Sequence, residues 1–97
     1  MRGRRNYDDP NYKRWRQAVR KRDGNKCRMP GCSSRRKLQA HHIQGWAKAP
    51  TLRYAVCNGI TLCRECHERV NGKETYYAQT FLAILAQDKK DAKEKRR

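Results

Sequence analysis

The chain has 97 residues, enough for one small domain, and only 36% of them are hydrophobic while 35% are charged. A core this thin usually needs a disulfide, a metal or a partner to stay folded. The 25 Lys and Arg residues outnumber the 9 Asp and Glu residues and give a formal net charge of +16, so the expected partner is a polyanion such as nucleic acid. No signal peptide is evident, and the longest apolar run, residues 81–86, is far shorter than a membrane span of roughly 20 residues. The sequence thus argues against a membrane protein and predicts a reducing, cytoplasmic location.

The N-terminal part predicts a flexible basic arm followed by an amphipathic helix. Residues 1–9 contain three arginines and no periodic pattern. Asp9 can cap a helix that begins at Pro10, and Tyr12, Trp15 and Val19 recur at helical spacing. The opposite face is basic and is expected to contact DNA; it carries Lys13, Arg14, Arg16, Arg20 and Lys21. The turn formed by residues 23–25 should end this helix.

The rest of the chain predicts two short strands and two helices. Residues 38–43 and 59–62 should pair as a hairpin across an ordered loop, residues 44–57. A helix should begin near Arg64 and stop at Asn71-Gly72. Residues 74–87 form the clearest amphipathic helix, whose apolar face is expected to pack on the domain. Residues 88–97 are expected to be a frayed, charged tail, which leaves residues 10–87 as a single domain.

The spacing of four cysteines predicts a structural zinc site. Cys27 and Cys32 are separated by four residues, and Cys63 and Cys66 by two. Two such pairs are typical of tetrahedral zinc, and an odd total of five cysteines in a reducing compartment disfavours disulfides. Metal binding would then be coupled to folding. The fifth cysteine, Cys57, could be a buried residue, a thiol or a replacement ligand; because burial is the commonest fate, it is left outside the site.

The side chains of the three histidines are expected to point in two different directions. Neighbouring side chains on a strand point to opposite sides, so His41 and His42 should not share one task. Consecutive residues on a helix point about 100° apart, so Cys66 can face the zinc while His67 faces away from it. This geometry suggests a structural metal on one side of the helix and a reactive metal on the other.

These residues together resemble the His-Asn-His (HNH) endonucleases. The resemblance rests on His41-His42 on a strand, then Asn58, then His67 within Asn-Gly-Ile-Thr-Leu-Cys-x-x-Cys-His, and it covers roughly residues 27–72. With its two cysteine pairs, the chain is similar to small nucleases of phages and prophages. The resemblance implies a small α+β fold, with a ββα-metal core, a four-cysteine zinc site and flanking N- and C-terminal helices. It also implies a metal-dependent endonuclease that hydrolyses phosphodiester bonds of double-stranded DNA in a bacterial or phage-infected cell.

The resemblance also implies a role for each residue. His42 would be the general base that deprotonates water. Histidine suits this role because its ordinary pKa lies near neutral pH. His41 and His67 would hold a catalytic Mg²⁺ or Mn²⁺ ion, and a third ligand is not identified. Asn58 would fix the loop that carries His42. The expected products carry 5′-phosphate and 3′-hydroxyl ends.

Two other interpretations explain the charge and the cysteines equally well. One is a zinc-stabilised DNA-binding module without catalysis, and the other is an accessory subunit of a phage DNA-packaging (terminase) complex. Only the endonuclease explains why His41, His42, Asn58 and His67 occur together. The assembly also has two alternatives, a monomer that nicks one strand or a homodimer that cuts both.

Overall fold

The computed structural model describes residues 7–95, with side chains described through Lys93. Three helices and one two-stranded sheet follow in the order α1 (Pro10–Arg22), β1 (Leu38–His42), β2 (Gly59–Cys63), α2 (Arg64–Val70) and α3 (Glu74–Lys95). The predicted α+β class is therefore confirmed. Most of the predicted basic arm, residues 1–6, lies outside the described residues. None of the described helices combines the length and apolar character that crossing a membrane requires.

β1 and β2 form the predicted antiparallel hairpin, with Leu38 opposite Cys63 and His42 opposite Gly59. One further backbone bond, from Ile43 N to Asn58 O at 2.8 Å, extends the pairing beyond the last strand residue. The connecting loop contains two short 3₁₀ turns, at residues 50–52 and 56–58. The hairpin thus brings the histidine pair at the end of β1 next to the asparagine before β2.

α1 packs against one side of the hairpin. Asp9 caps the helix, as predicted, because its carboxylate accepts a hydrogen bond from Asn11 N at 2.8 Å. Tyr12, Trp15 and Val19 are buried and form a small apolar cluster. The close approach of the helix requires a glycine at position 59, since a Cβ there would lie 2.5 Å from Val19 Cγ2 and 2.7 Å from Trp15 Cζ2.

A buried carboxylate fastens the end of α1 to the sheet. The Asp23 side chain is 0% exposed and accepts a hydrogen bond from the backbone N of Thr61 at 2.8 Å. Arg22 and Arg28 form ion pairs with the same carboxylate, with nitrogen–oxygen distances of 2.8 and 2.7 Å. Arg22 also donates to the carbonyl of Gly59 at 2.7 Å. Because every oxygen of this carboxylate is satisfied, its burial is compatible with a stable fold.

The larger apolar cluster surrounds the cysteines and includes α2 and α3. Phe81 of α3 and Val70 of α2 are completely buried in it, together with Ile60 and Leu62 of β2. Other α3 residues pack on this cluster from its edge; they are Tyr77, Ala78, Ile84 and Leu85. The predicted packing role of the apolar stripe of α3 is thus confirmed.

α3 is longer than the sequence predicted. The expected helix ended at Gln87, before a frayed tail, whereas α3 continues to Lys95. The reason is a tertiary contact: Arg28 Nη2 lies 2.9 Å from Asp88 Oδ1, in the first turn of the extra segment. This ion pair fastens the helix where the apolar pattern stops, so the helix does not end at Gln87 as expected. The division into a domain of residues 10–87 and a charged tail of residues 88–97 stays a prediction.

Candidate metal centres and catalytic site

Four cysteines form a compact cluster between the first turn of α2 and the loop after α1. The sulfur atoms of Cys27, Cys32, Cys63 and Cys66 all lie within 4.8 Å of one another. The distance between Cys32 Sγ and Cys63 Sγ is 4.0 Å. Four thiolates around one zinc ion, with Zn–S bonds of about 2.3 Å, are roughly 3.8 Å apart, so the cluster fits a tetrahedral metal site. The predicted four-cysteine set is therefore brought together as expected.

Backbone hydrogen bonds shape the loop that carries the first cysteine pair. Cys27 N donates to Ser34 O at 2.8 Å, and Cys32 N donates to Met29 O at 2.9 Å. Gly31, with a φ of 85°, supplies the left-handed conformation that this turn needs. Because Arg28 N also donates to Thr61 O at 2.9 Å, the loop is attached directly to β2.

The thiols differ in their acidity without a metal. Burial raises the pKa of Cys27 and of Cys66 above the ordinary value of 9.0. The pKa of Cys32 is instead lowered, mainly because the backbone N–H of Ser34 hydrogen-bonds to the sulfur. Since metals bind the thiolate, ion binding must displace protons from Cys27 and Cys66 at neutral pH.

Cys57 differs from its predicted environment. It is exposed, so of the three alternatives left open by the sequence the buried residue, which was favoured, is excluded. Its position in the short 3₁₀ turn before β2 leaves its side chain on the surface. It does not belong to the four-cysteine cluster.

His41 and His67 face each other on the α2 side of the hairpin. Their ring centroids are 5.4 Å apart at an interplanar angle of 73°, and Phe81 packs against His41 with centroids 5.8 Å apart. Two imidazoles bound to one ion through nitrogen–metal bonds of about 2.1 Å have centroids roughly 5 Å apart, so the pair fits a shared cation. Cys66 lies in the cysteine cluster, while the next residue, His67, turns towards His41.

Glu74 places a carboxylate near this histidine pair. Backbone N–H groups at the start of α3 hold the pKa of Glu74 below its ordinary value, and the positive forms of His41 and His67 lower it further. One of these bonds runs from Gly72 N to the Glu74 carboxylate at 3.1 Å. Glu74 was not identified from the sequence, because the only available signal was its place after the Asn-Gly turn that ends α2.

His42 lies on the opposite side, against α1. Its ring stacks on Trp15 with centroids 3.9 Å apart and planes 10° apart. Its Nε2 lies 2.9 Å from the carbonyl oxygen of Arg53. A carbonyl oxygen can only accept, so Nε2 carries the proton of the neutral ring and the lone pair is on Nδ1. The opposite directions predicted for His41 and His42 are present, whereas their partners Trp15 and Arg53 were not predicted.

Asn58 joins the two ends of the loop between the strands. Its Oδ1 accepts a hydrogen bond from Gln44 N at 2.8 Å, while its Nδ2 donates to Gln44 O at 3.0 Å and to Leu52 O at 3.2 Å. The side chain is buried and makes these bonds with backbone groups. Its carboxamide thus holds the loop whose carbonyl at Arg53 contacts His42.

Comparison with known proteins identifies the segment that contains this site. A family model described as HNH endonuclease matches residues 26–73, which contain all five cysteines and all three histidines. No curated protein and no solved structure matches the chain. The matched segment includes the cysteine loop, the ββα arrangement of the hairpin and α2, the His41-His42 pair on β1 and His67 on α2. Through residues 26–73, the chain therefore belongs to the HNH endonuclease family.

Proposed function

We propose that the chain is a metal-dependent endonuclease that hydrolyses phosphodiester bonds of double-stranded DNA and leaves 5′-phosphate and 3′-hydroxyl ends. The observation that carries the proposal is the hydrogen bond of 2.9 Å between His42 Nε2 and the carbonyl oxygen of Arg53. It fixes the tautomer in which Nδ1 can accept a proton. The activity is assigned to a single domain of residues 10–87.

His42 is proposed as the general base. Nδ1 would take a proton from a water molecule whose oxygen attacks phosphorus, and the bond between phosphorus and the 3′ oxygen would break. Trp15 restricts the imidazole to one plane, because stacking at 3.9 Å leaves no room for the ring to rotate. Asn58 would act indirectly, by holding the loop that presents the Arg53 carbonyl.

His41 and His67 are proposed to hold the catalytic cation, Mg²⁺ or Mn²⁺. Two neutral imidazoles provide no negative charge, and the nearby carboxylate of Glu74 would supply it. When bound, the ion supplies positive charge that stabilises the phosphate oxygens and the departing 3′ oxygen. The cysteine cluster is proposed to hold Zn²⁺, because four thiolates favour a soft, tetrahedral ion over Mg²⁺.

DNA as the substrate is supported by the family match and by the formal net charge of +16. A monomer contains one set of His41, His42 and His67, so it would nick one strand at a time. A homodimer would combine two such sets and cut both strands. Work within a phage DNA-packaging complex stays a hypothesis about biological context.

The decisive experiment is cleavage of supercoiled plasmid by the wild type and by His42→Gln. Glutamine keeps most of the side-chain volume against Trp15 but cannot act as a base at neutral pH. Cleavage should fall by at least about a hundredfold, the usual minimum contribution of a general base, while DNA binding and zinc content stay unchanged. Gln79→Ala, at an exposed position of α3, is the control and should cut like the wild type.

The metal requirement is tested in the same assay. A brief excess of chelator should stop cleavage, and added Mg²⁺ or Mn²⁺ should restore it. Restoration separates loss of the catalytic ion from loss of zinc, because Mg²⁺ prefers oxygen ligands and cannot refill a four-thiolate site. Undiminished cutting by His42→Gln would remove the base assignment. DNA binding by the wild type without any cleavage would instead favour a zinc-stabilised DNA-binding module.

A further inference from the structure

A groove of about 350 Å³ lies beside His67 and is separate from the cysteine cluster. One wall consists of Tyr12, Arg16 and Arg20, which lie at successive turns of α1. The floor is formed by residues 38–40 of β1, and His67 of α2 lies at the far edge. The groove therefore reaches from the basic face of α1 to one of the two proposed ligands of the catalytic ion.

The two arginines of the groove lack acidic partners in the described part of the chain. Arg22 and Arg28, nearby in sequence, both form ion pairs with Asp23, and Arg28 also pairs with Asp88. Neither Arg16 nor Arg20 forms an ion pair with any described carboxylate. The Arg16 guanidinium lies 5.5 Å from the centroid of the Tyr12 ring, and its Nε is buried without a hydrogen-bond partner among the described residues.

This arrangement is suited to an anion with several acceptor oxygens. A guanidinium presents parallel N–H groups that match two oxygens of a phosphate. The cation–π contact with Tyr12 holds Arg16 in place before any ligand arrives.

The groove is connected to the proposed catalytic residues on both sides of the hairpin. His67, at its edge, faces His41 with ring centroids 5.4 Å apart. Tyr12, on its wall, stacks on His42 with centroids 6.4 Å apart and planes 26° apart. An anion in the groove would thus lie next to a phosphate placed between the proposed base and the proposed cation.

We propose that Arg16 and Arg20 form a binding site for a DNA backbone phosphate that neighbours the scissile phosphate on the same strand. This inference rests on the proposed function for the identity of the scissile phosphate. It assigns two particular residues of the basic α1 face to substrate positioning. The other basic residues of α1 would then contribute general attraction to DNA, not a defined contact.

Binding is measured first, in the His42→Gln background, so that cleavage does not interfere. Fluorescence anisotropy with a short labelled duplex at several salt concentrations gives both affinity and salt slope. Arg16→Gln and Arg20→Gln should each weaken binding by about tenfold. The two substitutions together should reduce the slope of log K against log salt by about 0.9, the value for one lost phosphate contact. Arg16→Lys combined with Arg20→Lys should keep most of the slope, because both charges are retained.

A charge-matched control is available on α3. Lys90→Gln combined with Lys93→Gln removes two positive charges at exposed positions. This double variant should lose less affinity and less slope than Arg16→Gln combined with Arg20→Gln. Equal losses in the two double variants would overturn the proposal, since the arginines would then act only through net charge.

Contact with one particular phosphate is tested by cleavage. A duplex with one methylphosphonate, a neutral phosphate analogue, beside a preferred cutting position should be cut more slowly by the wild type than the unmodified duplex. Arg16→Gln combined with Arg20→Gln should lose this discrimination, because the contact is already missing. Equal discrimination by both proteins would overturn the proposal. If the wild type binds DNA without cutting it, the proposed function fails, while the binding measurements still decide whether the arginines hold a phosphate.

Discussion

One backbone oxygen determines which nitrogen of His42, the proposed base, can accept a proton. The Arg53 carbonyl, eleven residues further along the chain, accepts the Nε2 proton at 2.9 Å. Strand alternation predicted the direction of His42 from the sequence. Its partner was not predictable, because the loop of residues 44–57 has little periodicity and its path depends on the bonds made by Asn58. The identity of the candidate base could thus be predicted from the sequence, whereas the backbone carbonyl that orients it could not.

Gly59 offers a test of the contact between α1 and the hairpin. In Gly59→Ala, the new Cβ would meet Val19 and Trp15 at 2.5 and 2.7 Å, so both side chains would have to shift. We expect a loss of about 1–3 kcal/mol in the free energy of unfolding, the usual cost of overpacking. Urea denaturation at saturating zinc, followed by tryptophan fluorescence, measures this loss.

Gly45→Ala is the matched control for this substitution. No neighbouring atom lies within 4 Å of a Cβ built at Gly45, which lies in the loop between the strands. Its stability should stay within about 0.5 kcal/mol of the wild type, as for most surface substitutions. Similar stability of Gly59→Ala and Gly45→Ala would contradict the tight packing of α1 on β2. A shift of the Trp15 side chain should also reduce cleavage by Gly59→Ala, because the indole stacks on His42.

At the scale of elements, the junction between β2 and α2 serves both candidate centres. Cys63 is the last residue of β2 and the N-cap of α2, and Cys66 follows one turn later. His67 is the next residue and faces His41. A metal ion in the cysteine cluster would therefore fix the start of the helix that presents His67.

Cys63→Ser tests this coupling. The hydroxyl is a poor ligand for a soft ion, so zinc content and helical structure should be lost together, with cleavage lost as a consequence. Metal analysis and circular dichroism on the same sample measure both quantities. Cys57→Ser is the control, because Cys57 is exposed and outside the cluster, and it should retain zinc and structure. A folded Cys63→Ser protein with full zinc content would rule out the four-thiolate site.

The ends of helices were predictable where they are set by residues close by in the sequence. Asp9 and Pro10 mark the start of α1, and Asn71-Gly72 mark the end of α2, because caps and turns act within a few residues. The continuation of α3 past Gln87 was not predictable, since Asp88 pairs with Arg28, 60 residues away in the chain. The exposure of Cys57 was missed for a similar reason, because it depends on the path of the loop.

At the scale of the whole molecule, a high positive charge is combined with a small core. The formal net charge of +16 opposes compaction, and the apolar clusters of α1 and of the cysteines are small. Asp23 and the four clustered cysteines connect α1, β2 and α2, where the apolar clusters are small. Zinc binding should therefore supply a large share of the stability of the fold.

Proton release on metal binding tests this view. In the metal-free protein, burial raises the pKa of Cys27 and of Cys66 above 9.0, so both thiols are protonated at pH 7. Zinc binding should release one proton from each of these two thiols, and the apparent zinc affinity should fall as the pH falls. Calorimetric titration at pH 7, in two buffers of different ionisation enthalpy, counts the protons.

The stability of the metal-free fold depends on pH in the opposite direction to the zinc affinity. A raised thiol pKa means that folding favours the protonated form, so this contribution is present below pH 9.0 and is lost as the pH rises through the folded pKa values. Titration with Mg²⁺ is the control and should release no thiol protons, because this ion avoids sulfur ligands. Zinc binding without proton release would show that the thiols are already ionised and would contradict the effect of burial.

The bonds of Asn58 also indicate where this protein could acquire new properties. Its carboxamide anchors the loop at Gln44 and Leu52, and Arg53 Nε donates to Trp46 O at 2.8 Å. The segment from Ala47 to Ala49 lies between these anchors and carries none of the bonds made by Asn58. Extra residues inserted there would cost little loop-closure entropy, since that cost grows only slowly with length. Evolution or engineering could thus graft a DNA-reading segment beside His42 while leaving the orientation of the base intact.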